Sequence, residues 1–259
     1  MKNFVTQSHG QPVSVAARFV SWFLVVLLTA AIFSFAFSQL RYGWNWDAIW
    51  QYRQKFLQGW LITVVISSAA LLVSLIIGLL TALARRSSLL PLRYSALLYV
   101  EAVRGTPLLV QILILFYVVA NAFGIENRYL VGVLTLSLFA GAYLAEMIRS
   151  GIESIRDSQL ESARAIGLTR SQTYRFVILP QVVRQLIPPL TGQFASIIKD
   201  SSLLSIIAVS EFTLNAQEVN AFTYSTLESY LPLAVGYLLL TLPVSLISRV
   251  LERKFHYAT

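Results

Sequence analysis

Long stretches without a single charged side chain alternate along this chain with short polar segments. Residues 19–40, 56–84, 105–125, 129–145 and 229–248 contain no Asp, Glu, Lys or Arg. Such runs match the roughly 20 residues that an α-helix needs to cross a hydrocarbon layer of about 30 Å. Residues 186–210 form a sixth candidate, in which Lys199 and Asp200 interrupt two apolar pieces, Leu186 to Ile198 and Leu203 to Ser210. The pattern predicts an all-α membrane protein with six transmembrane helices. Arg18 before the first run and Ala36-Phe37-Ser38 near its end look like a cleaved leader, but 22 uncharged residues exceed the apolar core of a signal peptide. An uncleaved first span is expected, with cleavage as the alternative.

Composition supports the pattern. Hydrophobic residues make up 56% of the 259 and charged residues 12%, about half the share in an ordinary soluble domain. The formal charge of +8 raises the possibility of a nucleic-acid partner, but the aromatic residues sit inside apolar runs, not on a basic face. The charge instead reports orientation. Fourteen of the 20 basic residues fall in residues 1–18, 85–93, 149–184 and 249–259, and four in the alternate segments (Arg41, Arg53, Lys55 and Arg128). Lys and Arg accumulate in cytoplasmic loops, so both termini are expected in the cytoplasm. Residues 211–228 carry Glu211, Glu218 and Glu228 and no Lys or Arg, and Trp44, Trp46, Trp50 and Trp60 flank the first external loop as interfacial anchors. There are no cysteines, and the histidines, His9 and His256, lie in the tails. Thiol chemistry, a histidine-based triad and a membrane zinc site are thereby excluded, and no Gly-x-Ser-x-Gly elbow is present.

The longest polar segment, residues 149–184, has an organisation of its own. Ser158 to Glu161 fits a capping box that opens a short helix, and Gly167 suits its left-handed end. Thr169 to Gln172 fits a second capping box, whose helix Pro180 ends or kinks. Ala163 and Gly167, one turn apart, offer a strip without bulky side chains beside Arg164 and Arg170. On these grounds alone the loop is either a solvated hairpin that enforces topology or a docking surface.

Its spacing adds more. Glu161-Ser162-Ala163, three residues, Gly167, nine residues, Val177, one residue and Leu179-Pro180 resembles the coupling loop of ABC importer permeases, with Ser162 for Ala and Val177 for Ile. Arg104 to Gln111, Ala142 to Glu146, Arg149 to Ile152 and Lys199 to Leu203 are similar to permeases of polar amino-acid importers of the histidine, glutamine, arginine and cystine type. The likeness covers roughly residues 57–255. It implies a five-helix type I permease core over residues 56–259, with residues 1–55 adding a tail, an extra transmembrane helix and an external loop. It also implies that Glu161, Ser162, Ala163, Arg164, Gly167 and Arg170 form the contact with an ATP-binding subunit. The chain lacks a Gly-x-x-x-x-Gly-Lys loop and any Gly-Lys pair. No cofactor is expected in this chain; ATP and Mg belong to a separate ATPase, present in two copies. The other expected partners are a second copy or a homologous permease, an extracytoplasmic amino-acid-binding protein and membrane lipid.

Charge at membrane depth marks a candidate pathway. A charged side chain there costs about 2.5–3.5 kcal/mol on insertion scales, so Lys199 and Asp200 need a partner or a wet cavity. With Ser201 and Ser202 they either line a cavity or staple two helices. Pro188, Pro189 and Gly192 predict an irregular start to this span. At Gly105-Thr106-Pro107 a helix is expected to restart, with Thr106 as cap and Pro107 in the first position. Its donors, together with Arg104 and with Gln111 two turns on, suit a carboxylate; alternatively Arg104 snorkels and Pro107 only kinks the helix. Glu146 either meets a substrate ammonium or pairs with Arg149. The expected function is that of a permease subunit, not an enzyme, moving an L-amino acid across a prokaryotic inner membrane with ATP hydrolysed elsewhere. The rival is a secondary transporter driven by an ion gradient, built with similar broken helices.

Overall fold

The computed structural model describes residues 14–39 and 42–256, with backbone alone at 48 and 252–256. Lys2, His9, Arg41 and the side chains of Arg253, Lys254 and His256, all used in the sequence reading, lie outside the described residues. The chain divides into two units, one ending at Trp44 and the other beginning at Asn45. The first is the helix α1 (Val15–Ser38), capped by Ser14, whose side chain accepts from the Ala17 N–H at 3.2 Å. None of its residues is buried by protein, and its apolar surface runs all the way round, the character of a membrane span.

The second unit is a helical bundle built on α3 (Arg53–Arg85) and α6 (Arg128–Glu153), its most extensively packed pair. Beside Phe56 and Ile66, the buried positions of α3 include a row of small residues, Gly59, Thr63, Ser67, Ala70, Ser74, Gly78 and Ala82, recurring every three or four residues. Without a hydrophobic drive between helices in lipid, small residues permit the close backbone approach that dispersion and hydrogen bonding reward. The two helices run parallel: Ser137 donates to the Ala70 carbonyl at 3.3 Å, Gly78 faces Gly141 and Leu144, and Arg85 reaches Glu146. A Cβ at Gly78 would stand 2.7 Å from the Leu144 Cβ and 3.2 Å from the Gly141 carbonyl. Gly78→Val is therefore expected to part the seam, costing about 1–3 kcal/mol as other overpacked cores do; a thermal unfolding midpoint equal to wild type in detergent would contradict this.

Two short helices lie at the opposite end of α3: α2 (Trp46–Gln51) and α10 (Phe212–Thr223). Phe56, Phe212, Ala216 and Val219 form an apolar cluster there, flanked by Trp60 and Tyr237. Gly236, on α11 (Thr226–His256), leaves room for the Phe212 ring. Glu211 caps α10, accepting from the N–H groups of Thr213 and Leu214 and from the Tyr237 hydroxyl. Burial pushes its carboxyl above the usual range against the pull of these donors. Trp44, Trp46 and Trp50 are exposed, whereas Trp60 donates its indole N–H to the Gly236 carbonyl at 3.3 Å and packs within the bundle.

Among the described residues, four helices are long and apolar enough to cross a membrane: Val15–Ser38, Arg53–Arg85, Arg128–Glu153 and Thr226–Leu251. A fifth candidate is broken, α4 (Leu90–Gly105) meeting α5 (Leu108–Ile114) and the following π-helix Leu115–Ala120 at 113°. The run at 105–125 is thus only the second limb of a bent element. The sixth expected span also shifts. Its helix, α9, covers Leu179–Asp200, is not among these long apolar helices, and continues as a 3₁₀-helix over Ser201–Ile207. Ser201, Ser202 and Ser205 donate their hydroxyls to carbonyls three residues back, which favours the tighter winding. No irregular start occurs at Pro188-Pro189; α9 runs through both prolines, and the Pro188 carbonyl accepts from Thr191 at 2.7 Å and from Ser248 at 3.2 Å.

Candidate functional site

The polar segment folds as two short helices. The first, α7 (Asp157–Ala165), begins two residues earlier than the capping-box pattern predicts. Arg156 occupies the cap without a side-chain bond, and Asp157 supplies the negative charge of the first turn. Ser158 caps nothing there; its carbonyl accepts from the Ser162 hydroxyl. The second prediction holds: Thr169 and Gln172 form a reciprocal capping box at the start of α8 (Arg170–Thr173). Between them Gly167 takes φ +78°. Its N–H donates to the Arg164 carbonyl and that of Leu168 to the Ala163 carbonyl, the paired bonds of a Schellman end.

From α8 a π-turn over Tyr174–Ile178 leads into α9. The Leu179 N–H donates to the Tyr174 carbonyl, five residues back. One residue is inserted just before Pro180, which cannot donate at all. Ile155, Ile178 and Val182 pack with Leu160 and Leu186 to fasten the hairpin to the ends of α6 and α9. The exposed surface differs from the predicted strip. Ala163 is buried at 3% exposure and faces inward, whereas Glu161, Ser162, Arg164, Gly167 and Arg170 are exposed. Ile166, which the sequence reading passed over, stands out at 75% exposure beside Gly167. Its place at the end of an otherwise polar helix was the available signal.

Above the hairpin lies an open cleft of about 380 Å³, lined by Arg104, Tyr143, Glu146, Ser150, Gln185 and Pro189 among others. Glu146 is its hub. Its carboxylate takes the Arg85 guanidinium at 2.6 Å and Arg149 through two nitrogens, and lies 3.9 Å from Arg104. Arg149 also pairs with Glu153. Three guanidinium groups thus face two carboxylates, leaving one positive charge in surplus. Arg104 is the loosest of the three, its guanidinium carbon 5.4 Å from the Tyr143 ring centre and its side chain 39% exposed. The sequence reading paired Glu146 with Arg149 alone and missed Arg85. Both Arg85 and Glu146 are the first charged residue after an uncharged run, which on parallel spans places them at one level.

The remaining pathway candidates are dispersed. Thr106 does not cap α5; Pro107 holds that position, and the Thr106 hydroxyl donates back to the Ala102 carbonyl at 2.8 Å. Gln111 does not share a helical face with Arg104, because the break intervenes. Its amide nitrogen lies 2.7 Å from the Val103 carbonyl, 3.1 Å from the Thr106 carbonyl and 2.9 Å from the Thr106 hydroxyl, bracing the bend. Lys199 is exposed and has no ion-pair partner among the described residues. Asp200 is half-buried, Ser201 fully buried.

Residues 74–257 match the family model of the binding-protein-dependent transport system inner membrane component. The chain belongs to this family. It is similar to the glutamine transport system permease protein GlnP of Escherichia coli strain K12, 37% identical over 212 residues that cover 81% of this chain and 97% of that protein. It also resembles the L-cystine transport system permease protein TcyB of Bacillus subtilis strain 168, at 40% identity over 81% of this chain and 90% of that one. Among solved structures, an amino acid ABC transporter crystallised with histidines superposes with a TM-score of 0.77 at 32% identity, covering 82% of this chain and all of the other. The inward-facing MetNI methionine ABC transporter shares the fold, with a TM-score of 0.57 at 17% identity over 78% of this chain and 97% of that one. This permease is accordingly an all-α transport subunit of a bacterial ABC importer, and in such systems ATP is hydrolysed by a separate subunit.

Proposed function

We propose that this permease carries an L-amino acid into the cytoplasm across the bacterial inner membrane, both termini being cytoplasmic. Two ATP-binding subunits receive its hairpins, each binding ATP and Mg, and a second copy or a homologous permease completes the pathway. An external binding protein delivers the substrate near residues 41–55 and 211–228. The observation that carries the reading is the hairpin itself: a short helix closed by Gly167 in the left-handed conformation, with Glu161, Arg164 and Ile166 presented outward. Fourteen of the 20 basic residues, six of them in residues 149–184, fall on the side so assigned.

For the substrate, the surplus guanidinium of Arg104 suits a carboxylate and the Glu146 hub an ammonium, the two groups every α-amino acid carries. Lys199, exposed at the end of α9 with Asp200, Ser201 and Ser202 next to it, and Thr106 and Gln111 at the break, complete the proposed route. In this conformation the Thr106, Gln111, Ser201 and Ser202 side chains are engaged with backbone carbonyls. Uptake of radiolabelled L-glutamine and L-cystine by liposomes holding the whole complex is expected to require ATP inside and the binding protein outside. Uptake powered by an ion gradient with no ATPase present would overturn the reading in favour of a secondary transporter.

A further inference from the structure

Arg85 and Arg86 are adjacent, one closing α3 and the other its C-cap, yet they hold different parts of the molecule. Arg86 donates to the Tyr174 hydroxyl at 3.2 Å, in the π-turn of the hairpin. Arg85 is bound by Glu146 of α6, which in turn faces Arg104, two residues before Thr106 and the 113° break. The end of α3 thus stands between the hairpin and the bend. Beyond it the winding is irregular twice over: a π-turn contains Tyr174, and a second π-helix, Leu115–Ala120, directly follows α5. Such stretches recur at functional positions, where a helix shifts register at small cost. The bend is braced by the Gln111 amide and not by a continuous helical ladder, whereas the α3–α6 seam is close-packed through glycine and serine.

We propose that Tyr174, Arg86, Arg85 and Glu146 form a second coupling element, which passes displacement of the hairpin to the bend between α4 and α5. The proposal rests on the transport reading above. It assigns Arg86 and Tyr174 a role distinct from the surface that docks the ATPase: they position the end of α3 relative to the hairpin. Coupling between distant sites needs an element with two arrangements that both sites bias; the bend is that element, and the Glu146 hub is its connection to α3.

The test uses the complete complex in liposomes. Tyr174→Phe removes one hydroxyl and Arg86→Gln one charge, and both sites are on the exposed surface of the bundle. Each is expected to lower the amino acid imported per ATP hydrolysed by about fivefold or more, the low end of ordinary coupling energies. The double variant is expected to be no worse than either single one, since both changes cut one link. An unchanged ratio, or a double variant with multiplied losses, would overturn the proposal. Because the chain has no cysteine, spin labels can be placed by Leu98→Cys and Leu109→Cys, at two exposed positions on either side of the bend. Their separation is expected to change by about 2 Å or more on trapping with ATP, and that change to be lost in Tyr174→Phe. A separation insensitive to ATP in the otherwise wild-type complex would also refute it. ATP-driven uptake by the wild-type complex is scored separately, so failure of this link and failure of the transport reading give different results.

Discussion

Gly167→Arg is expected to abolish stimulation of ATP hydrolysis by the loaded binding protein, a loss of about 100-fold in coupled transport, while the permease still inserts and folds. Nothing lies within 4 Å of a Cβ built at Gly167, so a side chain meets no obstacle inside the chain. The backbone is the first difficulty, because φ +78° costs an ordinary L-residue about 1–2 kcal/mol. The second is that the new guanidinium projects next to Arg164 and the exposed Ile166, on the surface proposed to dock the ATP-binding subunit. Gly167→Asn separates the two effects, since asparagine tolerates the left-handed region; it is expected to keep the hairpin end and lose less coupling. Stimulation equal to wild type in Gly167→Arg, measured on a monodisperse complex, would remove the docking role from this hairpin.

Glu146→Gln is expected to produce the largest loss of stability. Removing the carboxylate leaves Arg85, Arg149 and Arg104 facing one another with Glu153 as the remaining anion. Deleting one partner of a buried ion pair costs about 3–5 kcal/mol. These side chains are 15–39% exposed, so about 2–3 kcal/mol is the appropriate expectation after allowance for solvent. At about 2–4 °C per kcal/mol for a chain of this size, the unfolding midpoint falls by roughly 5–10 °C. Glu146→Asp keeps the charge on a shorter arm and is expected to recover part of the loss. A midpoint within a degree of wild type for Glu146→Gln would show that the arginines are held apart by other means.

How much of this was legible in the sequence depended on whether the signal was local. The long helices α1, α3, α6 and α11 follow directly from uncharged runs, because backbone groups in lipid must be satisfied within the segment. Gly167 and the Thr169–Gln172 box were equally readable, each being a few residues whose chemistry closes on itself. The failures share a different cause. Ser158 is not the cap, because α7 starts two residues earlier than expected, at Asp157 behind Arg156, a choice the pattern alone does not settle. Ala163 is expected on a free strip but is buried in the folded chain. The Pro188-Pro189 pair was expected to interrupt α9, but hydroxyls from Thr191 and from Ser248, 60 positions away, meet the Pro188 carbonyl. The Glu146 hub draws on α3, α4 and α6 at once. Arg85 and Glu146 are 61 positions apart, and only the parallel course of α3 and α6 brings them level.

That parallel pair has one further consequence. Glycine and alanine have no side-chain rotamers to surrender when two helices close on each other, and serine has few. The glycine, alanine and serine positions of the α3–α6 seam therefore close at little cost in side-chain entropy, unlike contacts made by leucine or methionine. A single methyl group added at Gly78 would forfeit that advantage at once, because its Cβ would stand 2.7 Å from the Leu144 Cβ.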